Sequence, residues 1–74
     1  MIIVVDEVNC GMEELGKLYI NTKFIISVGS FNVIIEGKTS KITHIDCVGE
    51  RRYLSVTPLE EVIKKMVPPR VIKR

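Results

Sequence analysis

Apolar and polar positions alternate along most of the chain with a period of two, and the β-branched load is heavy, so strands are expected to dominate. Ile2–Val5 is a continuous apolar run, as in a strand covered on both faces or buried at a subunit contact. A polar stretch from Asp6 to Gly16 follows, in which Met12 and Leu15 could anchor a loop or one helical turn. Lys17–Ile20 reads as a strand and Asn21-Thr22 as a tight connection. Phe24, Ile26 and Val28 fall on one face of the next strand. Gly29-Ser30 suits a turn, after which Phe31, Val33 and Ile35 alternate again until Gly37. Lys41–Cys47 and Arg51–Val56 flank Val48-Gly49-Glu50, the spacing of a hairpin with a short Gly-containing loop.

The period changes near the C-terminus. Leu59, Val62, Ile63 and Met66 stand at i, i+3, i+4 and i+7, one apolar stripe on a helix. Thr57 is placed to cap it, Pro58 suits its first position, and Glu60 completes a Thr-x-x-Glu capping box. Glu60 and Glu61 before Lys64 and Lys65 match the helix dipole and the favourable i, i+4 order. Pro68 and Pro69 end it. Connections this short allow few crossovers, so the strands should pair antiparallel. The expected architecture is α+β: a small, strongly bent antiparallel β-sheet or partial barrel with one C-terminal helix, residues 58–66. Residues 1–66 form the single domain and 67–74 a basic tail. The expected core is Phe24, Ile26, Val28, Leu54, Val56, Leu59, Val62 and Ile63.

Length bounds the rest. Seventy-four residues leave room for one domain, which recovers only about 60% of its unfolded surface on folding. Nucleotide-binding folds of the doubly wound kind and barrel enzymes need far more chain. An apolar share of 46% argues against disorder. No apolar run approaches the roughly 18 residues of a membrane span, and Asp6 and Glu7 follow directly on the apolar Met1–Val5, unlike a secretory signal. A cytoplasmic protein with reduced thiols is expected, a Cys10–Cys47 bridge being the alternative.

The net charge of +2 is unevenly placed. Asp6, Glu7, Glu13 and Glu14 stand without a base, and Lys64, Lys65, Arg70, Lys73 and Arg74 without an acid. Lys38, Lys41, Arg51, Arg52 and Tyr53 beside the hairpin, with Arg70, Lys73 and Arg74 in the tail, are the candidate contacts to nucleic acid or a partner. His44, Asp46 and Cys47 are the one cluster suggestive of catalysis. On a strand, His44 and Asp46 share a face and Cys47 takes the other, which works against a Cys–His nucleophile pair. Four nominal metal ligands (Cys10, His44, Asp46, Cys47) lack the paired spacing of structural zinc sites. Gly37-Lys38-Thr39 lacks the upstream glycine and following helix of a phosphate loop. No enzyme activity, cofactor or metal is therefore expected.

From Lys17 onward, Leu18-Tyr19-Ile20-Asn21, Phe24-Ile25-Ile26-Ser27-Val28, Lys41-Ile42-Thr43, Tyr53-Leu54-Ser55-Val56 and Pro58-Leu59-Glu60-Glu61-Val62-Ile63 resemble the FlbD-like family of small bacterial proteins. Phe31–Ser40 looks like an insertion relative to it. The Tyr-Ile-Asn…Ile-x-x-Val segment is also similar to part of the LytTR class of β-rich DNA-binding domains, although this chain is too short to be a whole one. The FlbD-like resemblance implies a small β-rich fold with no catalytic signature. The expectation is a non-catalytic binding or regulatory module that acts through protein contacts with an unknown partner and self-associates. Nucleic-acid binding through the basic hairpin and tail is the alternative.

Overall fold

A computed structural model describes residues 1–66. The basic tail, with Arg70, Lys73 and Arg74, lies outside the described residues. Strands β1 (Ile2–Val8), β2 (Glu14–Asn21), β3 (Ile25–Ile35), β4 (Lys38–Cys47) and β5 (Arg51–Ser55) precede helix α1 (Leu59–Met66). They form one sheet in the order β2-β1-β5-β4-β3, in which every ladder is antiparallel. Five antiparallel strands and one C-terminal helix make the α+β class. The sheet is open, with β2 and β3 as its two edges. Helix α1 touches both β1 and β3, which stand three places apart in the sheet, so the strands curve around it.

The inner face, under the helix, carries Ile3 and Val5 of β1, Ile20 of β2, Ile45 and Cys47 of β4 and Val62 of α1 as one buried cluster. This differs from the core expected from alternation alone. Phe24 and Ile26 are well exposed, Val56 and Ile63 are exposed too, and only Val62 of the expected set is fully buried. The reason is topological. Phe24 closes a 3-10 turn (Thr22–Phe24) and Ile26 occupies a bulge between Ile25 and Ser27 on an edge strand, where no neighbouring strand covers them. Burial falls instead to β1 and β4, which have strands on both sides. Even there β1 is buried on one face only, since Ile2 points to solvent.

Gly29-Ser30 is not a turn: β3 runs straight through it. Gly29 is small because the His44 ring lies against its Cα; a Cβ there would stand 2.5 Å from His44 Nε2. The true reversal comes at Glu36-Gly37, where φ of +51° and +78° makes a two-residue turn of the primed kind between Ile35 and Lys38. The expected hairpin turn at Val48–Glu50 is present, with Gly49 at φ +82°. Between Lys38 and Ile42, β4 has no partner strand but β3 among the described residues, because β5 pairs only with Thr43–Cys47. The outer part of the β3–β4 hairpin is therefore a two-stranded arm.

The helix entry also departs from expectation. Pro58 C=O accepts from Val62 N at 3.0 Å, so Pro58 holds the cap position and the Thr57 capping box is not formed. Thr57 is used elsewhere. Its Oγ1 accepts from Asp6 N at 3.0 Å, its N–H donates to Ser55 Oγ at 3.0 Å, and its C=O accepts from Thr43 Oγ1 at 2.7 Å. Ser55 Oγ donates in turn to Asp6 O at 2.7 Å. Strands β1 and β5 share a single ladder pair, Glu7 with Ser55, and this buried hydroxyl network ties them where the ladder does not.

Candidate functional site

Three places could carry function: a polar cluster on the outer face, the basic residues flagged by sequence, and an apolar groove at the open side of the sheet.

The outer cluster centres on Asp46. Arg52, beside it across the β4–β5 ladder, donates through Nε to Asp46 Oδ1 at 2.6 Å, and Ser27 Oγ donates to Oδ2 at 2.9 Å. The Arg52 guanidinium holds the Asp46 carboxyl below the usual carboxylate range; partial burial opposes this and the Ser27 hydroxyl adds to it. His44 Nδ1 lies 3.2 Å from Asp46 Oδ2 without the alignment of a hydrogen bond, so this buried nitrogen has no partner. Ser27 is committed to Asp46, and Cys47 points to the opposite face. Cys47 is buried and its thiol pushed up by that burial, whereas Cys10 stands exposed on the β1–β2 connection. Both cysteines are free. The cluster thus locks three strands, β3, β4 and β5, and places no nucleophile against a base. Among the described residues no group of three His, Cys, Asp or Glu could hold a metal ion, and no helix is long and apolar enough to cross a membrane.

The basic residues do not converge. Arg52 is neutralised by Asp46 on the outer face. Arg51 and Tyr53, on either side of it along β5, take the inner face, Tyr53 half-buried against the core. Lys38 and Lys41 are exposed on the β3–β4 arm, about 20 to 30 Å along β4 from the position opposite Arg51 at 3.4 Å per residue. Only Arg51 and Tyr53 share a feature, which is the groove.

That groove, of about 350 Å³, is lined by β2 from Leu18 to Asn21, by Phe24, by Cys47 and Val48 at the end of β4, and by Arg51 and Tyr53 of β5. Tyr19, Phe24 and Val48 are 68%, 50% and 50% exposed. Val48 N donates to Phe24 O at 2.9 Å and fixes that wall. Beside the groove runs the free edge of β2. Thr22 N donates to Met1 O at 2.8 Å, so by antiparallel alternation the N–H and C=O of Lys17 and Tyr19 point away from β1 toward the open side. Arg51 is the groove's one charged residue, and no described acid pairs with it. Sequence reasoning gave Tyr19 and Val48 no contact role and assigned Phe24 to the core. An apolar residue inside a tight turn, as Val48 is, was the available signal.

No protein-family model, curated protein or solved structure matches this chain.

Proposed function

We propose that this protein is a small non-catalytic binding or regulatory module that acts through protein contacts and self-associates. The observation that carries the reading is the groove: exposed aromatic and aliphatic side chains flank an unpaired strand edge, the combination that accepts an added peptide strand. Edge hydrogen bonds would supply affinity, and the Tyr19, Phe24 and Val48 side chains selectivity. The FlbD-like likeness, a β-rich pattern without catalytic residues, agrees with this reading.

Dispersal of Lys38, Lys41, Arg51, Arg52 and Tyr53 over two faces, with Arg52 neutralised, ranks nucleic-acid binding second. Affinity capture with wild type and with Phe24→Asp tests the ranking. The reading expects specific proteins that the wild type retains and the variant loses. No such protein, beside a nucleic-acid shift that falls steeply with salt and weakens when Arg51 and Arg52 become Ala, would reverse it.

A further inference from the structure

The groove has a sign as well as a shape. No Asp or Glu lines it, and Arg51 is its one charged residue. The other cations of β2 and β5, the strands that wall it, are satisfied: Lys17 pairs with Asp6, and Arg52 with Asp46. Arg51 is exposed and ion-pairs with no described acid, its chain neighbour Glu50 included. Asn21 also lines the groove, and its Oδ1 already accepts from Lys23 N at 3.1 Å, so what its amide still offers is a donor. The acids gather instead at the far end of β2, where Asp6, Glu7 and Glu14 line a separate hollow with Lys17. A carboxylate laid along the β2 edge is therefore repelled at the Glu14 end and attracted at the Asn21 end.

We infer that the groove takes an extended peptide that carries a carboxylate side chain within two residues of a large apolar one, the carboxylate on Arg51 and the apolar group against Phe24, Val48 and Tyr53. The inference rests on the reading of the groove as a peptide site and adds the partner's chemistry and its placement. A guanidinium with no acid beside it has its whole fork of N–H donors available, and a carboxylate accepts two of them at once. Arg52 does not compete, because Asp46 holds it on the opposite face of the sheet. The chain's own residues 67–74 hold Arg70, Lys73 and Arg74 and no acidic side chain, so they lack the side-chain group that Arg51 selects.

Selection of a random heptapeptide library, displayed on phage, against the full chain tests this. Enriched sequences should carry Asp or Glu within two residues of Phe, Tyr, Leu or Ile. The same selection on Arg51→Glu should enrich Lys or Arg at that place instead, with an unchanged circular-dichroism spectrum, since Arg51 is exposed. The strongest peptide, made with a fluorescent label, should bind about two- to fivefold more weakly to Arg51→Ala, the range of an exposed ion pair. Replacing its acid by the amide should cost as much, and the amide peptide should not distinguish Arg51→Ala from wild type. Phe24→Asp should abolish binding.

Enriched peptides without an acidic bias, or a bias that Arg51→Glu does not reverse, would overturn the carboxylate inference and leave the peptide groove standing. Peptides whose binding survives Phe24→Asp, or a library that yields none, would sink both. A second copy in the groove, read by light scattering as twice the 8.4 kDa of one chain and halved by Phe24→Asp, would give the groove another occupant and overturn the inference.

Discussion

The hydroxyl network between β1 and the β5–α1 link makes a quantitative demand. Ser55 is fully buried, and its Oγ both donates to Asp6 O and accepts from Thr57 N. Ser55→Ala removes both bonds while changing side-chain volume little. Asp6 O keeps a second donor, Val56 N at 3.1 Å, so its loss is partial. Thr57 N keeps none, and a buried unsatisfied donor costs about 1–3 kcal/mol. We expect a destabilisation of about 2 kcal/mol, against a total of roughly 4–11 kcal/mol for a chain of this length. In urea that is a midpoint lower by about 1–2 M with an unchanged slope, and in thermal melts a fall of roughly 8–16 °C. Thr57→Val, which strips the acceptor from Asp6 N, should cost a similar amount. Because both hydroxyls serve the same peptide segment, the double variant should cost less than the sum. A loss below about 0.5 kcal/mol for Ser55→Ala, the size of an ordinary surface substitution, or full additivity of the pair, would refute this account of how β1 is held.

Three further outcomes follow from local geometry. Glu36 sits at φ +51° in a two-residue turn, a position that favours Asn, so Glu36→Asn should raise stability by about 0.5–1 kcal/mol; an unchanged melting temperature counts against the turn. Asp46, whose carboxyl is held low chiefly by Arg52, contributes stability that is complete above the unfolded carboxylate range near about pH 4 and lost as pH falls through the lower folded value. Asp46→Asn should flatten the acid limb of the melting-temperature profile, and parallel profiles would show that Arg52 does not act through it. A thiol reagent should titrate Cys10 promptly and Cys47 only on unfolding, since the second thiol is buried and pushed up by that burial; two fast thiols would contradict the packing of β4.

The two hairpins and the helix were legible because period and turn chemistry both reported them, whereas Asp6–Val8 and Glu14–Gly16, which read as a polar stretch, belong to β1 and β2. Val62 and Met66 do pack on the core, and Gly37 and Gly49 do sit at hairpin tips. The core was less legible, because alternation says which residues share a face and not whether another strand covers that face. Phe24 and Ile26 alternate correctly yet lie at a turn and a bulge on an edge. Gly29 misled for a different reason: its smallness answers the His44 ring on the neighbouring strand, a contact between residues fifteen apart in the chain. Thr57-x-x-Glu60 is a genuine capping pattern whose hydroxyl is taken instead by a part-buried backbone donor, Asp6 N–H. At the groove, Arg51 and Tyr53 were legible from the hairpin, but Tyr19, Phe24 and Val48 join them only once β2 and the β4–β5 turn come together.

The two open edges differ in chemistry. Strand β2 carries Glu14 and Lys17, the latter paired with Asp6 of β1. Charges on an edge oppose indiscriminate pairing, so a partner there must be selected by the groove's side chains rather than by bare backbone. Strand β3 is uncharged throughout, but it is bulged at Ile26 and in contact with α1. A two-stranded arm is marginal in water by itself, and the β3–β4 arm, Lys38–Ile42 on its β4 side, is of that kind.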